Sequence, residues 1–122
     1  MITTDFPTIQ DFHIDGIKHI TPDEAMAAIN QGEAKLLDVR EENECVLERI
    51  QNDQVQYLPM SEITERVNEI VADKPIIVVC AGGVRSSKVA KFLMLNGITN
   101  CASLEGGMHL WRALGLPTDT LL

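Results

Sequence analysis

A cysteine, two glycines and an arginine lie close together in the sequence, between Cys80 and Arg85. A cysteine thiolate is a strong nucleophile, and nearby cations or backbone N–H groups stabilise it. Small residues after the cysteine allow the N–H groups of the loop to turn inward, as they do in anion-binding nests. We therefore predict that Cys80 is a nucleophile and that Arg85 supports it with its charge. The predicted binding loop between them consists of Ala81, Gly82, Gly83 and Val84.

The residues on either side of this loop predict the elements that position it. Pro75 precedes an apolar, β-branched run from Ile76 to Cys80, which is typical of a central strand in a parallel sheet. Ligands bind at the carboxyl ends of such strands, and Cys80 is the last residue of the run. A helix is predicted from about Ser86 to Asn96, and its positive end is expected to point at the sulfur.

The helix alone is too weak to make the thiolate the main form. A helix N-terminus contributes about 0.3–1 kcal/mol, whereas a tenfold change in a protonation equilibrium needs about 1.4 kcal/mol. The N–H groups of the loop and the Arg85 guanidinium must therefore supply the remainder. A thiol that is activated in this way needs no histidine as a base.

The other residues that could bind metals or attack substrates fit structural roles better. Cys45 and Cys101 lie within apolar patterns that no glycine loop follows, which predicts buried, unreactive thiols. The three histidines show no metal-ligand spacing, and the sequence contains no CxxC and no Walker A motif. We expect no metal and no cofactor, and we place His109 on a helix surface rather than in acid–base catalysis.

Asp38 and Arg40 flank Val39 at the end of another predicted strand. An aspartate and an arginine in these positions predict a structural ion pair that anchors the following loop. Contact of the same pair with the substrate is the less favoured alternative.

The composition describes a globular domain with an acidic surface. The 122 residues carry a formal net charge of −8, which argues against nucleic acid or an anionic membrane as a partner. Residues 74–104 contain four basic and no acidic side chains, and this local excess of +4 predicts an anion site around the cysteine loop. Three widely spaced cysteines, without a secretory signal pattern or a long apolar segment, predict a reducing, cytoplasmic location.

The order of the predicted elements indicates one α/β domain with a mainly parallel sheet. Residues 1–17 are aperiodic and are predicted to form an arm of uncertain order, and residues 18–122 the domain. Thr21 and Ser61 are predicted to cap helices. Strands are predicted at residues 18–20, 36–39, 55–58, 76–80 and 98–104. Helices are predicted at residues 22–31, 46–50, 61–71 and 86–96 and around Trp111.

Three segments carry a resemblance to a known family: LLDVREENE, VVCAGGVRSSKVAKFL and LEGGMHLW. In this order and spacing they resemble the single-domain rhodanese family of sulfurtransferases, over roughly Ile20 to Pro117. The resemblance implies a single rhodanese-like domain, with a mainly parallel five-stranded sheet and helices on both faces. It also implies that Cys80 takes a sulfane sulfur from a small donor such as thiosulfate. The resulting persulfide then passes the sulfur to a thiophilic acceptor, such as a thiol or a protein.

The resemblance also assigns roles to other residues of this chain. Ala81 to Arg85 match the loop that holds the persulfide, and Ser86 is expected to cap the next helix and to hydrogen-bond the sulfur. Asp38 and Arg40 match the Asp-x-Arg pattern of the family. The C-terminal signature of the family is matched by Gly106, Gly107 and Trp111.

Two departures from the family pattern concern the partners. Residues 48–53 replace the usual Gly-His-Ile and Gly-Ala segment, so this surface differs from the one that the family commonly presents. The loop carries one arginine, Arg85, where strong users of thiosulfate often have further basic side chains. A persulfide on a partner protein is therefore a second candidate donor.

Two alternatives from other classes stay open at this point. Phosphatases and arsenate reductases with a related loop use Cys-x5-Arg, whereas four residues separate Cys80 from Arg85 here. The smaller ring favours a single sulfur over a tetrahedral phosphate. A sulfur carrier or redox-sensing module that never turns over free thiosulfate is the non-enzymatic alternative. The sequence leaves the physiological donor, the acceptor and the oligomeric state open.

Overall fold

The computed structural model describes residues 1–120, and its centre is a sheet of five parallel strands. The strands are β1 (Lys18–Ile20), β2 (Lys35–Asp38), β3 (Val55–Tyr57), β4 (Ile76–Val79) and β5 (Cys101–Leu104). They lie in the order β1-β5-β4-β2-β3, so β4 is the central strand. The predicted fold class is therefore confirmed. Residues 121 and 122 of the predicted domain lie outside the described residues.

The alternation of side chains along the strands divides the core into two layers. Ile76 and Val78 of β4 pack on one face of the sheet together with Cys80. Ile77 and Val79 pack on the opposite face. All five side chains are buried, which explains why this stretch of the sequence is apolar without interruption.

Helices cover both faces, as predicted. α1 (Pro22–Asn30) and α5 (Gly107–Ala113) pack on the Ile77 face, and α3 (Ile63–Arg66) and α4 (Val84–Leu95) pack on the Cys80 face. α2 (Glu42–Cys45) lies in the connection after β2. α1 begins at Pro22 as predicted, but the Thr21 side chain makes no capping hydrogen bond. No helix within residues 1–120 has the length and apolarity that a membrane span requires.

The helix predicted at residues 46–50 is wrong, because the chain forms its short helix earlier, at α2. A reciprocal capping box fixes α2 there: the Glu41 side chain accepts a hydrogen bond from the backbone of Glu44, and the Glu44 side chain accepts one from the Glu41 N–H at 2.9 Å. The helix ends there: Val46 and Leu47 form a turn, and Arg49 forms an antiparallel bridge with Asp119.

The helix predicted at residues 61–71 is broken into pieces. Two 3-10 turns, Met60–Glu62 and Val67–Glu69, flank the four-residue α3. Ser61 is not a helix cap, because its hydroxyl donates instead to the Glu41 carboxylate at 2.6 Å. This contact ties the segment after β3 to the start of α2.

The N-terminal arm, residues 1–17, contacts the domain at several points. Thr4 pairs with His19 of β1 through two antiparallel hydrogen bonds of 2.8 Å. Farther along, the Ile9 N–H donates at 2.8 Å to the carboxylate of Glu105, a side chain that is fully buried. The arm thus reaches the carboxyl edge of the sheet, where the cysteine lies.

Candidate active site

Cys80 follows β4 directly and is buried, with 1% of its surface exposed. The N–H group of Gly83 donates to its sulfur at 3.1 Å, and the thiol donates to the Ser86 hydroxyl at 3.3 Å. When the thiol is ionised, the Gly83 N–H remains a donor, and the Ser86 hydroxyl can turn its hydrogen toward the sulfur. The arrangement therefore suits a sulfur that carries negative charge.

Gly83 gives this N–H group its direction. Its backbone is left-handed, with φ +96°, and glycine is the residue that adopts this conformation at the least cost. Gly83 is also the N-cap of α4, so the prediction that Ser86 caps this helix is wrong. Ser86 lies in the first turn of α4, which leaves its hydroxyl free to contact the sulfur. The Gln10 side chain of the arm covers the outer side of Gly83 and would overlap a Cβ there.

A buried hydroxyl network lies behind the sulfur. The Ser86 hydroxyl is 2.7 Å from that of Ser103 on β5. The Ser87 hydroxyl lies 3.2 Å from Ser103 and donates to the Gly83 carbonyl oxygen at 2.7 Å. All three serines are fully buried, so the network holds the Ser86 hydroxyl in place. Sequence reasoning missed Ser87 and Ser103; the available signal was a serine within the apolar strand β5.

The first residues of α5 hold the loop from the other side. The N–H groups of Met108 and His109 donate to the carbonyl oxygens of Cys80 and Ala81, each at 2.9 Å. Gly107 permits this approach, because a Cβ at this position would overlap the Cys80 carbonyl and lie 2.6 Å from that of Ala81. The second glycine of LEGGMHLW therefore allows α5 to dock on the cysteine loop.

Gly107→Ala is expected to lower the free energy of unfolding by about 2–4 kcal/mol. About 1–2 kcal/mol of this loss comes from its left-handed backbone (φ +56°) and the rest from overlap with the loop. Gly97→Ala is the matched control, because Gly97 has φ +84° but a Cβ there meets no atom within 4 Å. Urea denaturation of both variants measures the difference. Equal losses would contradict the close approach of α5 to the loop.

The other predicted loop residues play different parts in the structure. Ala81 is half-buried and offers its carbonyl oxygen to α5. Gly82 is exposed, and a Cβ there would lie 3.7 Å from the Nδ1 atom of His109. Val84 is the first residue of α4 and is 40% exposed. Within residues 1–120, Gly83 is the loop residue whose N–H reaches the sulfur.

Arg85 pairs with a residue to which the sequence analysis assigned no role. Its Nη1 and Nη2 atoms donate to the two carboxylate oxygens of Glu44 at 2.8 and 2.7 Å. These hydrogen bonds lower the pKa of Glu44 to about 2. The pKa of Arg85 is raised, chiefly by Glu44 and to a smaller extent by the nearby Cys80. A carboxylate from outside the basic segment thus neutralises the cation of the predicted anion site.

Asp38 and Arg40 form a buried ion pair at the end of β2, with 2% and 5% of their surfaces exposed. The Arg40 Nη2 and Nε atoms donate to the two Asp38 oxygens at 2.9 and 3.1 Å, and the Arg40 backbone N–H adds a third bond. Nη2 also donates to the Glu48 carbonyl oxygen at 2.9 Å. The pair ties β2 to the segment after α2.

The two remaining cysteines, Cys45 and Cys101, are free and buried. Burial raises the pKa of each thiol to about 11. Both thiols are therefore protonated near neutral pH, and a protonated thiol is a poor nucleophile.

The fold and this cysteine loop agree with the comparisons to known proteins. The family model described as Rhodanese-like domain matches residues 21–114. The match covers most of the chain, and the protein belongs to the rhodanese-like domain family, as the three sequence segments predicted.

Three similar proteins illustrate the relationship. The thiosulfate sulfurtransferase GlpE of Pseudomonas fluorescens is 33% identical, over 84% of this chain and 91% of its own length. A rhodanese-related protein from Thermoplasma volcanium superposes with a TM-score of 0.75 at 31% identity, over 85% of this chain and 98% of the other. A persulfide reductase from A. fulgidus matches 73% of this chain and 18% of its own length, at 35% identity and a TM-score of 0.58. The first of these relatives places the chain in the sulfurtransferase class.

Proposed function

We propose that the protein transfers a sulfane sulfur through a persulfide on Cys80. The observation that carries the proposal is the Gly83 N–H, which lies 3.1 Å from the Cys80 sulfur and stabilises negative charge there. The relatives named after thiosulfate sulfurtransferase and persulfide reductase activity support the same chemistry. Thiosulfate and a protein persulfide are the two candidate donors.

The proposed reaction has two steps. The Cys80 thiolate first attacks the outer sulfur of thiosulfate, the S–S bond of the donor breaks, and sulfite leaves with the electron pair. Cys80 then carries the outer sulfur as a persulfide anion. In the second step a thiophilic acceptor, such as cyanide or a thiol, attacks this outer sulfur. The Cys80–sulfur bond breaks, and Cys80 leaves as a thiolate.

The remaining site residues have supporting roles in this proposal. Arg85 binds the oxygens of an anionic donor, and Ser86 donates its hydroxyl hydrogen to the charged sulfur. The Asp38–Arg40 pair anchors the loop after β2 without contact to the substrate. The acceptor is a thiol or a protein sulfur site, and the free thiols fit the reducing cytoplasm.

Steady-state turnover with thiosulfate and cyanide tests the proposal. We expect thiocyanate to form catalytically, in many equivalents per protein. One equivalent of sulfur that stays on the protein, without thiocyanate release, would instead identify the non-enzymatic sulfur carrier.

A second assay tests the phosphatase alternative. The loop of four residues between Cys80 and Arg85 directs a single N–H group at the sulfur, rather than a ring of donors around a tetrahedral phosphate. Hydrolysis of an aryl phosphate such as p-nitrophenyl phosphate is therefore expected to be negligible beside sulfur transfer. Efficient hydrolysis that disappears in Cys80→Ser would instead favour a phosphatase over a sulfurtransferase.

A further inference from the structure

The guanidinium of Arg85 already holds a carboxylate. Two of its nitrogen atoms donate to both oxygens of Glu44, at 2.8 and 2.7 Å. A sulfonate needs the same donors, because arginine binds oxyanions through this planar fork. The Arg85 and Glu44 side chains are 32% and 30% exposed, so an anion from solution can reach the pair and compete for it.

We propose that Glu44 determines donor specificity by competing with small anionic donors for Arg85. The inference rests on the proposed function, since it concerns the donor of that same reaction. A sulfane sulfur attached to a sulfonate, as in thiosulfate, must displace Glu44 before Arg85 can bind it. A sulfane sulfur attached to a cysteine has no sulfonate and needs no displacement. Glu44 therefore biases the site toward persulfides carried on cysteine.

Two features keep this competitor in place near neutral pH. Because Arg85 lowers the pKa of Glu44 to about 2, the carboxylate stays charged wherever a thiolate is available. The Glu44 side chain also accepts the Glu41 N–H at 2.9 Å in the capping box of α2, which limits its movement. The pair is partly exposed, and exposed ion pairs are weak. Its effect on donor capture is therefore a modest factor and not a complete block.

Glu44→Gln is the test variant, and Glu42→Gln is its matched control. The glutamine at position 44 keeps a carbonyl oxygen for the capping box but removes the charge opposite Arg85. Glu42 lies in the same helix and is exposed, and its side chain has no hydrogen bond or ion pair with the described residues. Each substitution raises the net charge of the protein by the same amount. A difference between them therefore reports the contact with Arg85 rather than the total charge.

The first readout is alkylation of Cys80 by iodoacetate and iodoacetamide, two reagents of similar size that differ in charge. The ratio of the two rates measures the attraction of the site for an anion and requires no sulfur transfer. We expect Glu44→Gln to raise this ratio by about threefold to tenfold. Glu42→Gln is expected to leave it unchanged, and adding Arg85→Ala to Glu44→Gln is expected to remove the gain.

The second readout is the KM for thiosulfate, which we expect to fall by a similar factor in Glu44→Gln while kcat changes little. If Glu44 only stabilised α2, its replacement would lower the activity. A gain in apparent affinity for thiosulfate is therefore expected only if Glu44 competes with thiosulfate for Arg85. Equal alkylation ratios in Glu44→Gln, Glu42→Gln and the parent protein would overturn the inference. If the ratio rises but no variant transfers sulfur from thiosulfate or from a low-molecular-weight persulfide, the competition for Arg85 is supported and the proposed function is contradicted.

Discussion

Cys80→Ser is expected to reduce sulfur transfer from thiosulfate to cyanide by roughly 10³-fold or more. A serine hydroxyl has nearly the same shape, but it neither ionises near neutral pH nor accepts a sulfane sulfur. The hydroxyl can still accept the Gly83 N–H, so the loop is expected to keep its conformation. Thiocyanate formation measures the loss, and an unfolding curve like that of the parent protein shows that the variant is folded.

Cys45→Ser and Cys101→Ser are the controls for this experiment. Both thiols are buried, and burial raises the pKa of each to about 11, so neither provides a thiolate at neutral pH. We expect both variants to retain transfer activity. Activity that survives in Cys80→Ser and disappears in one of the controls would place the nucleophile elsewhere.

Asp38→Asn is expected to lower the free energy of unfolding by about 3–5 kcal/mol, because it leaves the Arg40 guanidinium buried without a countercharge. The Asp38 and Arg40 side chains are almost completely shielded from solvent, so water cannot take the place of the lost carboxylate. The asparagine amide can accept some of the hydrogen bonds that Arg40 donates to Asp38, but it carries no negative charge. Urea denaturation at neutral pH measures the loss.

Asp73→Asn is the matched control for the ion pair. Asp73 pairs with Lys35, but 57% of the Asp73 side chain is exposed, and surface pairs contribute about 1 kcal/mol or less. If Asp38→Asn lowers the free energy of unfolding no more than Asp73→Asn does, the buried Asp38–Arg40 pair does not make the large contribution to stability predicted here.

The strand and the loop around the cysteine were predictable because their signals are local. The apolar run that ends at Cys80 is buried on both faces of the sheet, and burial of this kind leaves a continuous pattern in the sequence. Gly83 has a left-handed backbone, and a glycine directly before a helical pattern is a local sequence signal for this conformation.

The partners of the loop were not predictable, because they are distant in the sequence. Glu44 and Arg85 are 41 residues apart in the sequence. The Gln10 side chain accepts a hydrogen bond of 2.7 Å from the Gly106 N–H, and these two residues are 96 apart. An isolated glutamate or glutamine carries no sign of which cation or backbone group it will meet. The prediction of an anion site therefore recognised the basic segment but missed the carboxylate that neutralises it.

The prediction of the helix after β2 was wrong for a different reason. The run of polar residues 41–44 has no apolar periodicity, so its sequence favours a turn over a helix. The chain instead uses Glu41 and Glu44 to cap each other across one helical turn, and this local capping outweighs the apolar residues that follow. A glutamate in place of the usual serine or threonine made the capping box hard to recognise.

The intact mass of the protein after treatment with thiosulfate tests the central claim most directly. We predict a gain of one sulfur atom, located on the peptide that contains Cys80 and removed by cyanide with release of one equivalent of thiocyanate. Cys80→Ser is predicted to gain no sulfur. The persulfide mechanism would be contradicted if the mass of the parent protein stayed unchanged with thiosulfate and with low-molecular-weight persulfides. A gain of sulfur in Cys80→Ser would contradict it as well.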